Sequence, residues 1–228
     1  MSGTEFLKKA YLSFFITIIL AGLHLQLYAV SADPGKRFFD VREYGAKGDG
    51  KTDDAPAIQK AIDACSKNNG GVVLLDNGTF LSTGITFKSN VELHLTVSAL
   101  LLGSTDVSKY SVDNKLNSKH PIRSLIYAPD CENIAITGPG KIDGQGDLIK
   151  VDSSNDRPDL IVLHGSKDIR IQDVFITNSC MFAVFVLQCE RLRVEGVRLV
   201  NLKNANNDGF DIDGSKDVFI SNTSIHSI

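Results

Sequence analysis

Cys131-Glu132-Asn133-Ile134-Ala135-Ile136 returns as Ser166-Lys167-Asp168-Ile169-Arg170-Ile171, as Cys189-Glu190-Arg191-Leu192-Arg193-Val194 and as Ser215-Lys216-Asp217-Val218-Phe219-Ile220, at intervals of 35, 23 and 26 residues. Each copy opens on a small residue, passes two polar ones and then alternates apolar with variable positions, the pattern of a strand with one buried face. The surroundings repeat as well. Leu160-Ile161-Val162-Leu163, Ile169 with Ile171, and Val174 with Ile176 form one unit; Phe182 to Leu187, Leu192 with Val194, and Val197 with Leu199 form the next. Gly209-Phe210-Asp211-Ile212-Asp213 and Val218-Phe219-Ile220 begin another. Three short strands per unit, always in the same order, predict an all-β chain wound as a right-handed parallel β-helix, in which stacked coils bury a common interior. A β-sandwich also has many short strands, but hairpin turns would reverse direction between them and would not return one unit at coil-length intervals.

Outward from the repeat, Phe38-Phe39-Asp40-Val41 reads as a strand, followed by the glycine-rich turn Gly45-Ala46-Lys47-Gly48-Asp49-Gly50. Ala57, Ile58, Ala61, Ile62 and Cys65 then recur at helical spacing, with Asp53 and Asp54 placed to cap the N-terminus and Gly70-Gly71 to end the helix. This stretch, about residues 38–70, is expected to cap the start of the stack, where apolar side chains and a strand edge would otherwise be open. Val72-Val73-Leu74-Leu75 and Val91-Glu92-Leu93-His94-Leu95 read as strands of the first coils. No cap is legible at the other end, so the β-helix is expected to be C-terminally truncated.

Lys8 and Lys9, an apolar run from Tyr11 to Leu20 and the small residues Val30-Ser31-Ala32 have the layout of a secretory signal peptide over residues 1–32, an uncleaved anchor being the other reading of the same run. The β-helix domain is then residues 33–228, secreted to the cell exterior, wall or periplasm, and a monomer with no membrane contact after cleavage. Of 228 residues, 24 are Lys or Arg and 27 Asp or Glu, a net charge of -3 that offers no field for a nucleic acid. The four cysteines, Cys65, Cys131, Cys180 and Cys189, fit no zinc spacing and read as small buried residues, with a Cys180–Cys189 pair left open. Asn77-Gly78-Thr79 and Asn222-Thr223-Ser224 fit the N-glycosylation pattern.

The densest polar stretch is Asn204-Ala205-Asn206-Asn207-Asp208-Gly209-Phe210-Asp211-Ile212-Asp213-Gly214. Alternation turns Phe210 and Ile212 inward and Asp211 and Asp213 outward, with Asp208 in the turn before them. Three carboxylates this close repel, which favours raised pKa values and acid-base or cation chemistry; an asparagine-rich turn with solvated acids is the plain alternative.

The segment from Asn206 to Asp211 resembles the first catalytic motif of the family 28 glycoside hydrolases, the polygalacturonases. Phe39-Asp40-Val41, Tyr44 to Gly50 and Thr52-Asp53-Asp54 resemble the opening of those enzymes, and Ile136-Thr137-Gly138-Pro139-Gly140-Lys141-Ile142-Asp143-Gly144-Gln145-Gly146 and Arg157-Pro158 are similar to segments that follow in them. The likeness runs from about Phe38 to the last residue. It implies a pectin-lyase-like fold and inverting hydrolysis of α-1,4-galacturonosyl linkages in pectin, with no cofactor and no metal. It also implies that Asp208 is one of the water-activating carboxylates, that Asn206 fixes its hydrogen bonding, and that Asp211 supports it or touches substrate.

The family's paired aspartates, which include the general acid, and its Gly-His-Gly and Arg-Ile-Lys motifs do not occur before Ile228, and His164 and His226 read as exposed turn residues rather than replacements. General acid or base assistance is worth ~10²- to 10⁴-fold, so these 228 residues are expected to hydrolyse galacturonan at no useful rate. Two other readings keep the β-helix. One is a pectate lyase using Ca²⁺, for which Asp49, Asp53 and Asp54 are possible oxygen donors, although helix capping accounts for two of them. The other is a non-catalytic carbohydrate-binding protein.

Overall fold

The computed structural model describes residues 37–113, 122–150, 156–203 and 208–227. The signal-peptide segment and Asn206 lie outside the described residues. Among those described, no helix is long and apolar enough to cross a membrane.

Three parallel sheets form the walls of a coil stack. The first holds β1 (Phe38–Asp40), β3 (Gly71–Leu75), β6 (Val91–Leu95), β9 (Glu132–Thr137), β12 (Lys167–Gln172), β15 (Glu190–Glu195) and β18 (Lys216–Ser221). The second holds β2 (Asp49–Asp53), β4 (Gly78–Ser82), β7 (Ala99–Gly103), β10 (Lys141–Asp143), β13 (Phe175–Thr177), β16 (Arg198–Asn201) and β19 (Ser224–Ser227). The third holds β5 (Ile85–Thr86), β8 (Ser124–Pro129), β11 (Asp159–His164), β14 (Val184–Leu187) and β17 (Phe210–Asp213). The chain visits the sheets in this order once per turn, which makes the fold the right-handed parallel β-helix that the repeat predicts.

The repeated hexapeptide is the first-sheet strand of each coil. Ile134, Ile169, Leu192 and Val218 stand in one register, and Ile136, Ile171, Val194 and Ile220 in the next inward row. Every side chain of these two rows is buried until the last described coil, where Val218 is half-buried and Ile220 is 40% exposed. Burial of one such aliphatic side chain contributes about 1.5–3 kcal/mol, so stacking of identical rows supplies most of the stabilisation and explains why the same positions are apolar in each copy.

Sharp corners make the coil possible. From the third sheet into the first, Asp130, Gly165, Gln188 and Gly214 all take left-handed backbone; from the first into the second, Asn77, Gly138, Asp173, Gly196 and Asn222 do so. Glycine, asparagine and aspartate accept that conformation most readily, which is why the sequence places a polar or glycine turn after each alternating strand. The third corner, from the second sheet back to the third, joins β7 to β8, β10 to β11, β13 to β14 and β16 to β17 through segments of unequal length. It is there that the fold can vary without disturbing the core.

The small residue opening each repeat has its own reason. The Cys131 amide donates to Ser166 Oγ at 2.9 Å, and Cys189 repeats the bond to Ser215 Oγ at 2.9 Å, so a hydroxyl from the next coil satisfies a corner amide. Ser166 Oγ also donates to the Ala128 carbonyl at 2.9 Å and is fully buried. Ser166→Ala should therefore lower the unfolding free energy by about 1–3 kcal/mol, the cost of leaving a buried amide without an acceptor. Ser215→Ala, on the half-buried outer coil, should cost less. Urea unfolding of the two variants compares them directly, and equal losses would refute the account.

Helix α1 (Ala55–Lys67) buries Ala55, Ala57, Ile58, Ala61, Ile62 and Cys65, the face its spacing predicts, against the first strands. The two acids before it divide their work differently from the expected double cap. Asp53 accepts from the Ala55 amide at 3.1 Å and from Thr83 Oγ1 at 2.8 Å. Asp54, buried at the N-cap position, makes no side-chain cap bond; its carboxylate accepts from the amides of Lys47 at 2.7 Å and Gly48 at 2.9 Å. The glycine-rich turn presents two adjacent amides, and a buried carboxylate satisfies both. All four cysteines are buried and none is bonded to another; burial pushes the thiols of Cys65, Cys131 and Cys180 up to about 11, which keeps them protonated and unreactive.

Candidate functional site

Asp208 sits on the third corner, immediately before β17, and is exposed. Its position is fixed through the backbone. The Ala183 amide donates to the Asp208 carbonyl at 2.9 Å, and the Val184 amide donates to the Gly209 carbonyl at 3.0 Å. Gly209 is buried, and a Cβ there would lie 2.7 Å from Ile225 Cγ2, so any larger residue after the acid has to displace that side chain.

Along β17 the register matches the predicted alternation. Phe210 and Ile212 stack on the buried Val184 and Val186, whereas Asp211 and Asp213 lie beside Phe185 and Leu187 on the outer face. Asp211 is half-buried, and its carboxyl is held above the ordinary range by that burial first, then by the charges of Asp208 and Asp213. Desolvation therefore outweighs the like-charge repulsion read from sequence. On the outer face of the third sheet, Asp211 ends a row that runs back through Phe185, Val162 and Tyr127 to Thr86, one residue per coil.

Asp159, the first residue of β11, belongs to the same neighbourhood and was not singled out in the sequence. Its Oδ1 accepts from the Phe182 amide at 3.2 Å, and the next amide along, that of Ala183, holds the Asp208 carbonyl. Burial pushes the Asp159 carboxyl up to about 7, against the pull of the Phe182 amide and the Arg157 charge, and Asp211 adds to the rise. The signal was an acid heading the apolar run Leu160 to Leu163, where a charge has no place unless a partner is fixed beside it. His164 and His226 are strand residues rather than turn residues: His164 ends β11 and His226 lies in β19. Asp49, which sequence reading set beside Asp53 and Asp54 as a possible cation donor, accepts from the amides of Lys51 and Thr52 at 2.9 and 2.8 Å. These bonds close a local turn.

Residues 65–227 match the sequence profile of glycosyl hydrolases family 28. The chain belongs to that family. An exopolygalacturonase of Zea mays is 28% identical over 208 residues, covering 86% of this chain and 48% of the plant protein. An exo-poly-alpha-D-galacturonosidase of Dickeya chrysanthemi is 29% identical over 243 residues, covering 82% of this chain and 40% of its own length. The chain thus spans less than half the length of these relatives. Among solved structures, the family 28 exopolygalacturonase of Yersinia enterocolitica superposes with a TM-score of 0.74 at 24% identity, over 82% of this chain and 43% of that one. Family 28 membership and the parallel β-helix fold agree with each other.

Proposed function

We propose that this family 28 chain carries part of the active site of a hydrolase of pectic galacturonan, working by inversion, in which Asp208 helps activate the attacking water. The observation that carries the reading is the Asp208 corner: an exposed carboxylate whose backbone is bonded to the coil below and is followed by a buried glycine. A general base needs that fixity, because its contribution depends on reaching one proton at hydrogen-bond distance. Asp211, desolvated and on the same outer wall, would touch substrate or support Asp208, and Asn206 would orient the carboxylate.

The second carboxylate is the part these 228 residues do not provide in the family's arrangement. Inverting hydrolysis needs an acid on the opposite side of the scissile bond from the water, about 6.5–9.5 Å from the base. Asp211 and Asp213 follow Asp208 by three and five residues and share one face of β17, and the resemblance assigns the acid to neither of them. The 228-residue polypeptide should therefore release no reducing ends from polygalacturonate above the rate without protein. Clear turnover would place the acid among these residues and overturn this part of the reading. An unsaturated, ultraviolet-absorbing product that appears only with Ca²⁺ would instead indicate a lyase.

A further inference from the structure

Two aromatic rings stand beside the acids of the outer wall. Phe185, on the outer face of β14, pairs in register with Asp211 on the next coil. The ladder continues backwards from there: the Ala183 and Val184 amides donate to the Asp208 and Gly209 carbonyls, which sets Phe182 one coil before Asp208. A step of ~4.8 Å separates each of these residues from its acid. The two ring centroids lie 5.4 Å apart with planes inclined at 46°, so the corner ring leans on the ring of the outer face and the pair forms one tilted surface.

Both phenylalanines are half-buried, which leaves part of each in solvent. Val162, one coil before Phe185 in the same row, is fully buried, so along this row the accessible wall begins with the aromatic pair. The pair is also held in place by its backbone. The Phe182 amide donates to Asp159 Oδ1 at 3.2 Å, and its carbonyl accepts from the Leu160 amide at 3.0 Å. On the approach to it, Ser179 Oγ donates to the Met181 carbonyl at 2.6 Å. A ring with two side-chain torsions, on a backbone already fixed, loses little freedom when a ligand settles on it.

Mutual packing accounts for the contact between the rings. It does not require that they keep solvent exposure beside two carboxylates, where deeper burial would gain hydrophobic energy. A pyranose suits such a surface, because one face of the sugar carries C–H groups that pack on an aromatic ring while its hydroxyls stay at the rim. One coil step is close to the length of a sugar unit in a polymer. We propose that Phe182 and Phe185 form a stacking subsite for the sugar unit next to the one served by Asp208, holding the polymer by the C–H face of its ring. The inference rests on the galacturonan reading and adds to it a contact that does not involve the sugar's carboxylate.

The chain contains no tryptophan, so Phe182→Trp and Phe185→Trp each place a single fluorophore in the subsite and keep an aromatic face there. Trigalacturonate should shift the emission of both variants with one common dissociation constant. A Phe38→Trp control, on the first sheet, should not respond. Phe185→Leu added to Phe182→Trp keeps an apolar side chain while removing one ring, and should weaken binding about tenfold. Silent tryptophans with every probe, or a dissociation constant unchanged by leucine, overturn the proposal. Retardation in gels containing polygalacturonate and titration with β-1,4-galactotriose separate it from the galacturonan reading. Retardation with silent tryptophans removes the subsite and leaves that reading standing. A response to the neutral trisaccharide, with neither retardation nor a response to trigalacturonate, keeps the stacking subsite and removes galacturonan as its ligand.

Discussion

In a polypeptide that continues through a second carboxylate motif, Asp208→Asn should lower kcat on polygalacturonate by about 10²- to 10⁴-fold, the usual worth of general base assistance. The fold should not change with it. Asp208 is exposed, and its carbonyl, not its side chain, receives the Ala183 amide. Asparagine keeps the shape and the backbone bond while removing the proton acceptor. Reducing-end release together with the thermal midpoint separates the two effects: a large fall in kcat at an unchanged midpoint assigns chemistry to the carboxylate. Activity within tenfold of the unsubstituted protein would show that Asp208 is only a turn residue. Gly209→Ala gives the contrasting pattern, because the added Cβ meets Ile225 and should shift the midpoint itself.

The legible part of this molecule is the part set by repetition. Ile134, Ile169, Leu192 and Val218 recur because each stands on the previous one, and the same stacking demands a left-handed corner after each strand, so glycine, asparagine and aspartate recur there too. Among the described residues three break that code: Gln145, Gln188 and, just inside β15, Arg191 take positive φ although none is Gly, Asn or Asp. The alternation at Phe210 to Asp213 was readable for the same reason as the core rows.

Interactions across coils that join unlike residues were not readable. Asp54 and the Lys47–Gly48 amides are close in sequence, yet helix capping accounted for the acid equally well until the geometry separated the two. Asp159 and Phe182 are 23 residues apart, the coil step of the third sheet, but their bond joins a side chain to a backbone amide, which the strand pattern does not encode.

Asp159 gives the largest expected effect on stability. A carboxyl raised from 3.8 to about 7 in the folded state keeps its proton over a window in which the unfolded chain has released it. Folding then takes up a proton between about pH 4 and 7, so this group's contribution falls as the pH rises through the window and is level above it. The span corresponds to roughly 4 kcal/mol at most, and relaxation of a partly buried site makes about half of that a reasonable figure. The groups facing Asp159 set the sign: Arg157 and the Phe182 amide favour the charged form, while desolvation and Asp211 oppose it and prevail.

Asp159→Asn removes the titration and keeps an oxygen to accept from Phe182. The variant should be about 2 kcal/mol more stable than the unsubstituted chain at pH 8, with the gap reduced to under about 1 kcal/mol at pH 5 and closing below pH 4, as read from urea unfolding across that range. Other titrating groups are common to both proteins and cancel in the difference. A gap between the proteins that is the same at both pH values would mean that Asp159 is ionised throughout, with Arg157 rather than burial governing it. A gap that grows from pH 5 to pH 8 would show a carboxyl tuned near neutrality one hydrogen bond from the backbone that holds the Asp208 corner. Stability lost to that charge is then the cost of keeping an acid beside Asp211.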